Sequence, residues 1–201
     1  MREIDLAVFR WINGGWPEAW NPFFFFISEG NKMIGVRLLL AAVVVFMLIK
    51  NARTRTAAVL ALLAWPLANG FSEALKYGFE MLRPSDPRAG LEDVVIRVGA
   101  LTSFGTASSH AANTMSVALV FFTFCRWWGG IWIALAVATG ISRIYVGVHY
   151  PSQVLLGWIC GAFCALLVVR TYQAIVDLRR SKHERNELEH SPQDPTRLDP
   201  V

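Results

Sequence analysis

Residues 109–150 read SHAANTMSVALVFFTFCRWWGGIWIALAVATGISRIYVGVHY, two long apolar runs separated by Arg126, Trp127, Trp128 and two glycines. Each run, about Ser109 to Phe124 and Gly130 to Val148, approaches the roughly 20 residues that a helix needs to cross a bilayer. A cation flanked by tryptophans is typical of a membrane–water interface. The stretch therefore predicts two consecutive spans with their turn at one membrane face. It also brings the start of the first span, Ser109 and His110, to the same face as the end of the second, Arg143 and His149.

Further spans lie on either side. Ile34 to Ile49 is almost wholly apolar and ends at the basic loop Lys50 to Arg55, Ala57 to Phe79 is a second span interrupted by Pro66, and Val154 to Val169 follows Pro151. Neighbouring helices tolerate a proline inside a membrane. The 201 residues are 54% hydrophobic and the mean hydropathy is +0.40, too apolar for an ordinary soluble domain. The expected fold is all-α: an integral membrane bundle of about five transmembrane helices, a single domain over 1–181. Within it, residues 1–31 mix Ile4, Leu6, Val8, Phe9 and Trp11 with Asp5 and Arg10, which predicts helices lying at the interface. Residues 182–201 are polar and contain proline, and are expected to form a disordered cytoplasmic tail.

Cys125, Cys160 and Cys164 fall inside apolar segments with neither disulfide nor zinc spacing, and read as small buried hydrophobes. The N-terminus lacks the pattern of a cleaved secretory signal, so insertion is expected to rely on the spans themselves. The formal net charge of +4 reports orientation, not nucleic-acid binding. Lys50, Arg53 and Arg55, then Arg126, then Arg170 to Arg185 fall on one face when the spans alternate, and basic loops face the cytoplasm. In a bacterium the opposite face is the periplasmic side of the inner membrane.

That opposite face collects the polar residues bordering the spans, which are costly there and tend to be functional or tightly paired. Lys76 and Arg83 are seven positions apart and share a helical face if the helix continues to Pro84. Ser108, Ser109 and His110 stand at a helix N-terminus, where free N–H groups and the dipole favour an anion. Arg143 and His149 follow, then Gln153 at the entrance to the last span. Three cations, two imidazoles and a helix N-terminus on one face suit a phosphate. Singly, each has a plainer reading: Lys76 as a snorkelling anchor, Arg83 and Arg143 as ion-pair partners of Glu73, Glu80, Asp86, Glu92 or Asp93, the histidines as packing groups, and the serines as N-caps. His183 and His190 read as solvated surface.

The three clusters resemble the motifs of the type 2 phosphatidic acid phosphatases, shared with the vanadium haloperoxidases. Lys76, six residues and Arg83-Pro84 match the first motif. Ala107-Ser108-Ser109-His110 matches Pro-Ser-Gly-His. Ser142-Arg143, five residues, His149, three residues and Gln153 match the third, which ends in aspartate. The resemblance implies that Lys76, Arg83 and Arg143 bind phosphoryl oxygens, with Ser108 and the backbone at Ser109 completing the cradle. It implies that His149 is the nucleophile, forming a phosphohistidine, and that His110 protonates the leaving oxygen and later helps activate water. No metal or other cofactor is implied, because the cations neutralise the developing charge.

Two departures stand out. Ala107 and Ser109 replace proline and glycine of the second motif, and Gln153 replaces the aspartate that would hold the histidine by its other nitrogen. Glutamine accepts that hydrogen bond but brings no charge. The expected activity is hydrolysis of a lipid phosphate or diphosphate, such as undecaprenyl diphosphate, phosphatidylglycerophosphate, phosphatidic acid or a lipid A phosphate. The expected partners are the bilayer and this lipid, without nucleic acid or an obligatory protein. The alternatives are a non-catalytic lipid-phosphate binder or transport component, and phosphotransfer to another acceptor through the same intermediate.

Overall fold

The computed structural model describes residues 2–99, 101 and 103–190, and every regular element in them is helical. The helices are α1 (Arg2–Asn13), α2 (Asn21–Glu29), α3 (Ile34–Lys50), α4 (Ala52–Phe79), α5 (Ser109–Tyr145) and α6 (Pro151–His190). By length and composition Ala52–Phe79, Ser109–Tyr145 and Pro151–Glu187 can each cross a membrane; α2 and α3, with a short 3₁₀ turn between them, form a bent pair at 69° that makes a fourth candidate. The described residues up to 168 make one compact unit, and residues 169–190 belong to a second.

The helix assigned as α5 has 37 residues, and if straight it would hold its ends about 55 Å apart. Its ends instead converge. Ser108 N–H donates to the Gln153 carbonyl at 2.9 Å, and the amides of Val148 and His149 donate to the Arg143 carbonyl at 3.2 Å each. The chain reverses at Arg126, whose backbone (φ 25°, ψ −83°) is not helical. Phe121 stacks on Trp132 across the reversal with ring centroids 5.0 Å apart. Trp127 and Trp128 remain 93% and 70% exposed there, as aromatic residues at a membrane interface should. The expected pair of spans is thus a helical hairpin.

Small residues let these helices approach closely, the usual basis of packing where lipid supplies no hydrophobic drive. Ala57, Ala61, Ala64 and Ala68 form a buried stripe on α4. Ala68 packs with Ala112 of α5 and with Cys160 and Cys164 of α6. On α6, a Cβ added to Gly157 would lie 2.5 Å from the Ser108 carbonyl, and one added to Gly161 would lie 2.2 Å from that of Ala112. Leu38, Leu39, Phe46, Leu62, Leu63, Phe163 and Leu166 are exposed on the outside, where acyl chains replace water.

Two expectations are corrected. The helix bearing Lys76 stops at Phe79, before Pro84, because Glu80 takes a left-handed conformation (φ 46°) with its N–H on the Lys76 carbonyl. Arg83 therefore lies in the following loop, not on the helical face of Lys76. Residues 182–190, expected to be irregular, continue α6; the i,i+4 pairs Arg180–Glu184 (3.0 Å) and His183–Glu187 (3.1 Å) support that exposed helix. Residues 191–201 of the expected tail lie outside the described residues.

The N-terminal segment is more than an interfacial layer. Exposed Trp11, Trp20, Phe23, Phe25 and Phe26 keep an apolar outer face, but Phe9, Ile12 and Phe24 enter a core with Ile144, Tyr145, Val146, Val148 and Val154. Asn13 ties this layer down: Nδ2 donates to the carbonyls of Val95 (2.8 Å) and Tyr145 (2.9 Å), and Oδ1 accepts from Val95 N–H (2.9 Å). Gly147, at φ +86°, completes the turn between the second leg of α5 and His149, with the Val95 carbonyl 2.6 Å from where a Cβ would stand. Gly147→Ala combines a left-handed strain of about 1–2 kcal/mol with this clash. A marked drop in detergent melting temperature is expected, together with loss of activity because His149 is displaced.

Candidate active site

The site assembles at the ends of α4, α5 and α6, with the 80–108 loop and α2 closing it. Each cation has its own holder. Lys76 Nζ, 7% exposed and so not a snorkelling anchor, meets Glu73 Oε1 and Ser109 Oγ at 2.6 Å each. Ser109 Oγ also donates to Glu73 Oε1 at 2.8 Å. Its hydroxyl is therefore engaged in fixing the lysine, and what Ser109 can present to an anion is its first-turn backbone N–H.

Arg83 is pinned by the loop that carries it and by the turn before α6. Nε donates to the Ser103 carbonyl (2.6 Å), Nη2 to Ser103 Oγ and the Phe104 carbonyl (3.1 Å each), and Nη1 to the Val148 carbonyl (3.2 Å). Nη1 also lies 2.7 Å from His149 Nε2. An arginine can only donate, so Nε2 carries the lone pair and the proton sits on Nδ1. That proton points at Gln153 Oε1, 3.1 Å away. Gln153 is held in turn: Oε1 also accepts from Tyr150 N–H (3.2 Å), and Nε2 donates to the Leu82 carbonyl (2.8 Å). The amide thus fixes the histidine tautomer and ties it to the residue preceding Arg83, a second bond that an aspartate could not make.

Arg143, 3% exposed, donates from Nη1 to Ser28 Oγ and, at 2.9 Å, to Glu29 Oε1. Among the described residues its Nε is buried without a hydrogen-bond partner, as is Ser108 Oγ, which makes no cap hydrogen bond to α5. His110 stands half-buried in the first turn of the same helix. All the residues expected from the sequence, Lys76, Arg83, Ser108, Ser109, His110, Arg143, His149 and Gln153, are therefore brought to this end of the bundle.

Burial, then the Arg83 and Arg143 cations, hold the His149 imidazole well below the ordinary histidine pKa. Burial and Arg143 lower Arg83 to about 10, so it stays charged at neutral pH. Above the ordinary value of 6.5 His149 is neutral folded and unfolded and contributes no pH dependence. Below it only the unfolded chain takes the proton, so stability falls as pH drops from 6.5 toward the lower folded value, by up to about 1.4 kcal/mol per pH unit. The melting temperature in detergent between pH 7.5 and 5 should fall less steeply in His149→Asn than in the parent.

Three contributors were not anticipated. Ser28 and Glu29 directly follow the apolar run Phe23–Ile27; a carboxylate beside such a run is itself a sign of function or pairing. Gly105 has no motif, yet a Cβ there would fall 2.6 Å from Arg83 Cγ and 2.8 Å from Gln153 Oε1. Only the folded loop reveals that requirement.

An apolar helical bundle whose helix ends converge on three cations, a helix N-terminus and a tautomer-fixed histidine defines a membrane phosphatase. A model of the PAP2 superfamily matches residues 57–177, and the chain belongs to that family. It is 29% identical to the "Bacitracin transport permease protein BcrC" of Bacillus licheniformis, over 84% of this chain and 81% of that one. It is 28% identical to an "Undecaprenyl-diphosphatase" of Sulfolobus acidocaldarius, over 83% and 78%. The crystal structure of Aquifex aeolicus LpxE superposes with a TM-score of 0.69 at 25% identity, covering 83% of this chain and 95% of the other.

Proposed function

We propose that the chain hydrolyses a lipid phosphate or diphosphate through a phosphohistidine at His149, with its site on the periplasmic face of a bacterial inner membrane. The observation that carries this is a pair of buried, unpartnered polar groups, Arg143 Nε and Ser108 Oγ, in a cradle that also holds Lys76 and Arg83. Buried polar groups are almost always hydrogen-bonded, and a phosphoryl group offers acceptors to both.

In this reading the substrate phosphate enters between Arg143, Ser108 and the first turn of α5, and draws Arg83 Nη1 from His149 Nε2 onto a phosphoryl oxygen. The freed Nε2 lone pair attacks phosphorus, the P–O bond to the lipid breaks, and His110, which enters the step protonated beside the negative charge of the bound phosphate, protonates the departing oxygen. His110, now neutral, takes a proton from water, whose oxygen attacks the phosphohistidine; the P–N bond breaks and inorganic phosphate leaves. Gln153 holds Nδ1–H throughout. The cations supply the electrostatic stabilisation that phosphoryl transfer chiefly needs. The orientation rests on the basic residues at Lys50–Arg55 and at Arg126, at the helix ends away from the site. An isoprenyl diphosphate fits best, because a bare diphosphate needs little headgroup recognition and the connection from 84 to 106 is short; the name of the Sulfolobus relative agrees.

The test is phosphate release by the purified chain in lipid discs, with EDTA present. The panel is undecaprenyl diphosphate, phosphatidylglycerophosphate, phosphatidic acid and lipid A. Release that vanadate inhibits is the expected result. Binding of these lipids without release would replace the enzyme by a lipid-phosphate binder, the reading that the Bacillus relative's name favours.

A further inference from the structure

Among the described residues, Arg143 hydrogen-bonds through one corner of its guanidinium, Nη1. The Nη1 protons go to Ser28 Oγ and Glu29 Oε1, so these two residues leave the Nε–Nη2 edge of the fork unused. That edge carries parallel N–H bonds matching two oxygens of a phosphate, and its Nε is the buried donor without a partner. The Arg143–Glu29 pair spans 114 positions, and the two side chains are 3% and 13% exposed. Glu29 is itself held by Lys32, which pairs with its other carboxylate oxygen. Glu29 lies outside residues 57–177, the region matched by the family model, and none of the three motifs contains it.

From this geometry we infer that Glu29 is a positioning residue of the phosphatase site, acting through Arg143 so that the Nε–Nη2 edge faces the substrate phosphate. The inference rests on the phosphatase reading. Glu29 has two opposed effects. Its hydrogen bond sets the direction of the arginine, while its negative charge opposes a phosphate bound nearby. Glu29→Gln keeps an acceptor oxygen and removes the charge; Glu29→Ala removes both. A group that merely supported folding would not separate the two variants in this way.

The experiment measures kcat and KM for the best lipid of the panel, and the dissociation constant of inorganic phosphate, for the parent, Glu29→Gln, Glu29→Ala, Arg143→Ala and Glu29→Ala/Arg143→Ala in lipid discs. Glu29→Gln should keep kcat within about threefold and bind phosphate more tightly. Glu29→Ala should lower kcat on the order of 10- to 100-fold, somewhat less than outright loss of a preorganised donor. In the Arg143→Ala background, Glu29→Ala should change kcat by less than about twofold, because its route of action is gone. Independent, multiplying losses in the double variant would overturn the inference, as would equal kcat losses in Gln and Ala variants with parallel drops in melting temperature. If the parent releases no phosphate from any lipid, the phosphatase reading fails. The phosphate affinities then still decide the role of Glu29: binding tighter in Glu29→Gln than in both the parent and Glu29→Ala supports it, and equal affinities in Glu29→Gln and Glu29→Ala reject it.

Discussion

Alanine at His149 is expected to abolish phosphate release, by at least about 10⁴-fold, while leaving lipid binding within a few-fold. The covalent route needs an unprotonated ring nitrogen in line with phosphorus, and loss of a nucleophile from a concerted catalytic unit typically removes most of the rate enhancement. Two features leave Nε2 of His149 unprotonated: burial beside two arginines keeps the ring neutral, and Gln153 holds the proton on Nδ1. Rapid quenching in base after mixing with labelled substrate should trap an acid-labile phosphoprotein in the parent and none in His149→Ala. Undiminished turnover by the variant would remove the phosphohistidine from the mechanism.

Alanine at Arg83 is expected to lower kcat by about 10² to 10³, the usual cost of one preorganised donor at a developing charge. A second effect comes with it, because Arg83 also lowers the affinity of His149 for a proton. Without that cation the His149 pKa moves up, burial still holding it below the ordinary value. The acid limb of the pH–kcat/KM profile should therefore shift to higher pH in Arg83→Ala. The variant also strands the carbonyls of Ser103, Phe104 and Val148 that the guanidinium now serves. Arg83→Lys should recover the charge effect on the pH limb while recovering less of kcat, since one ammonium cannot reproduce the fork. A profile unmoved in Arg83→Ala would mean that His149 does not set the acid limb.

Much of the bundle was legible because its signals are local. Apolar run length, the Arg126–Trp128 interruption and the placement of basic loops depend on a few adjacent residues and on the bilayer, and they anticipated the α5 hairpin and the convergence of Ser108–His110 with Arg143–Gln153. The helix end after Lys76 was misread because proline is the stronger punctuation in sequence, whereas the stop is Glu80 in a left-handed conformation that glycine or asparagine more often adopts. The length of α6 was underestimated for a related reason: a polar composition reads as irregular, but correctly spaced polar side-chain pairs support an exposed helix.

The departures from the family motifs show the same division. That Gln153 accepts a hydrogen bond from His149 follows from its chemistry and spacing. That its amide also reaches the Leu82 carbonyl, 71 positions away, does not. This second bond makes the glutamine a brace between His149 and the arginine loop, and no inspection of the third motif alone would find it.

The sequence by itself determined which helices form, that they belong in a bilayer, and which side chains are too polar for their surroundings to be there without a partner. Those properties are set by the local periodicity, hydropathy and charge of contiguous residues. Only the tertiary structure decided which groups hold each cation, that α2 brings Glu29 to Arg143, and that Arg143 Nε and Ser108 Oγ are buried with no hydrogen-bond partner among the described residues. Partner choice is a matter of long-range packing, where several acids compete on chemical grounds and the geometry of the folded chain selects one.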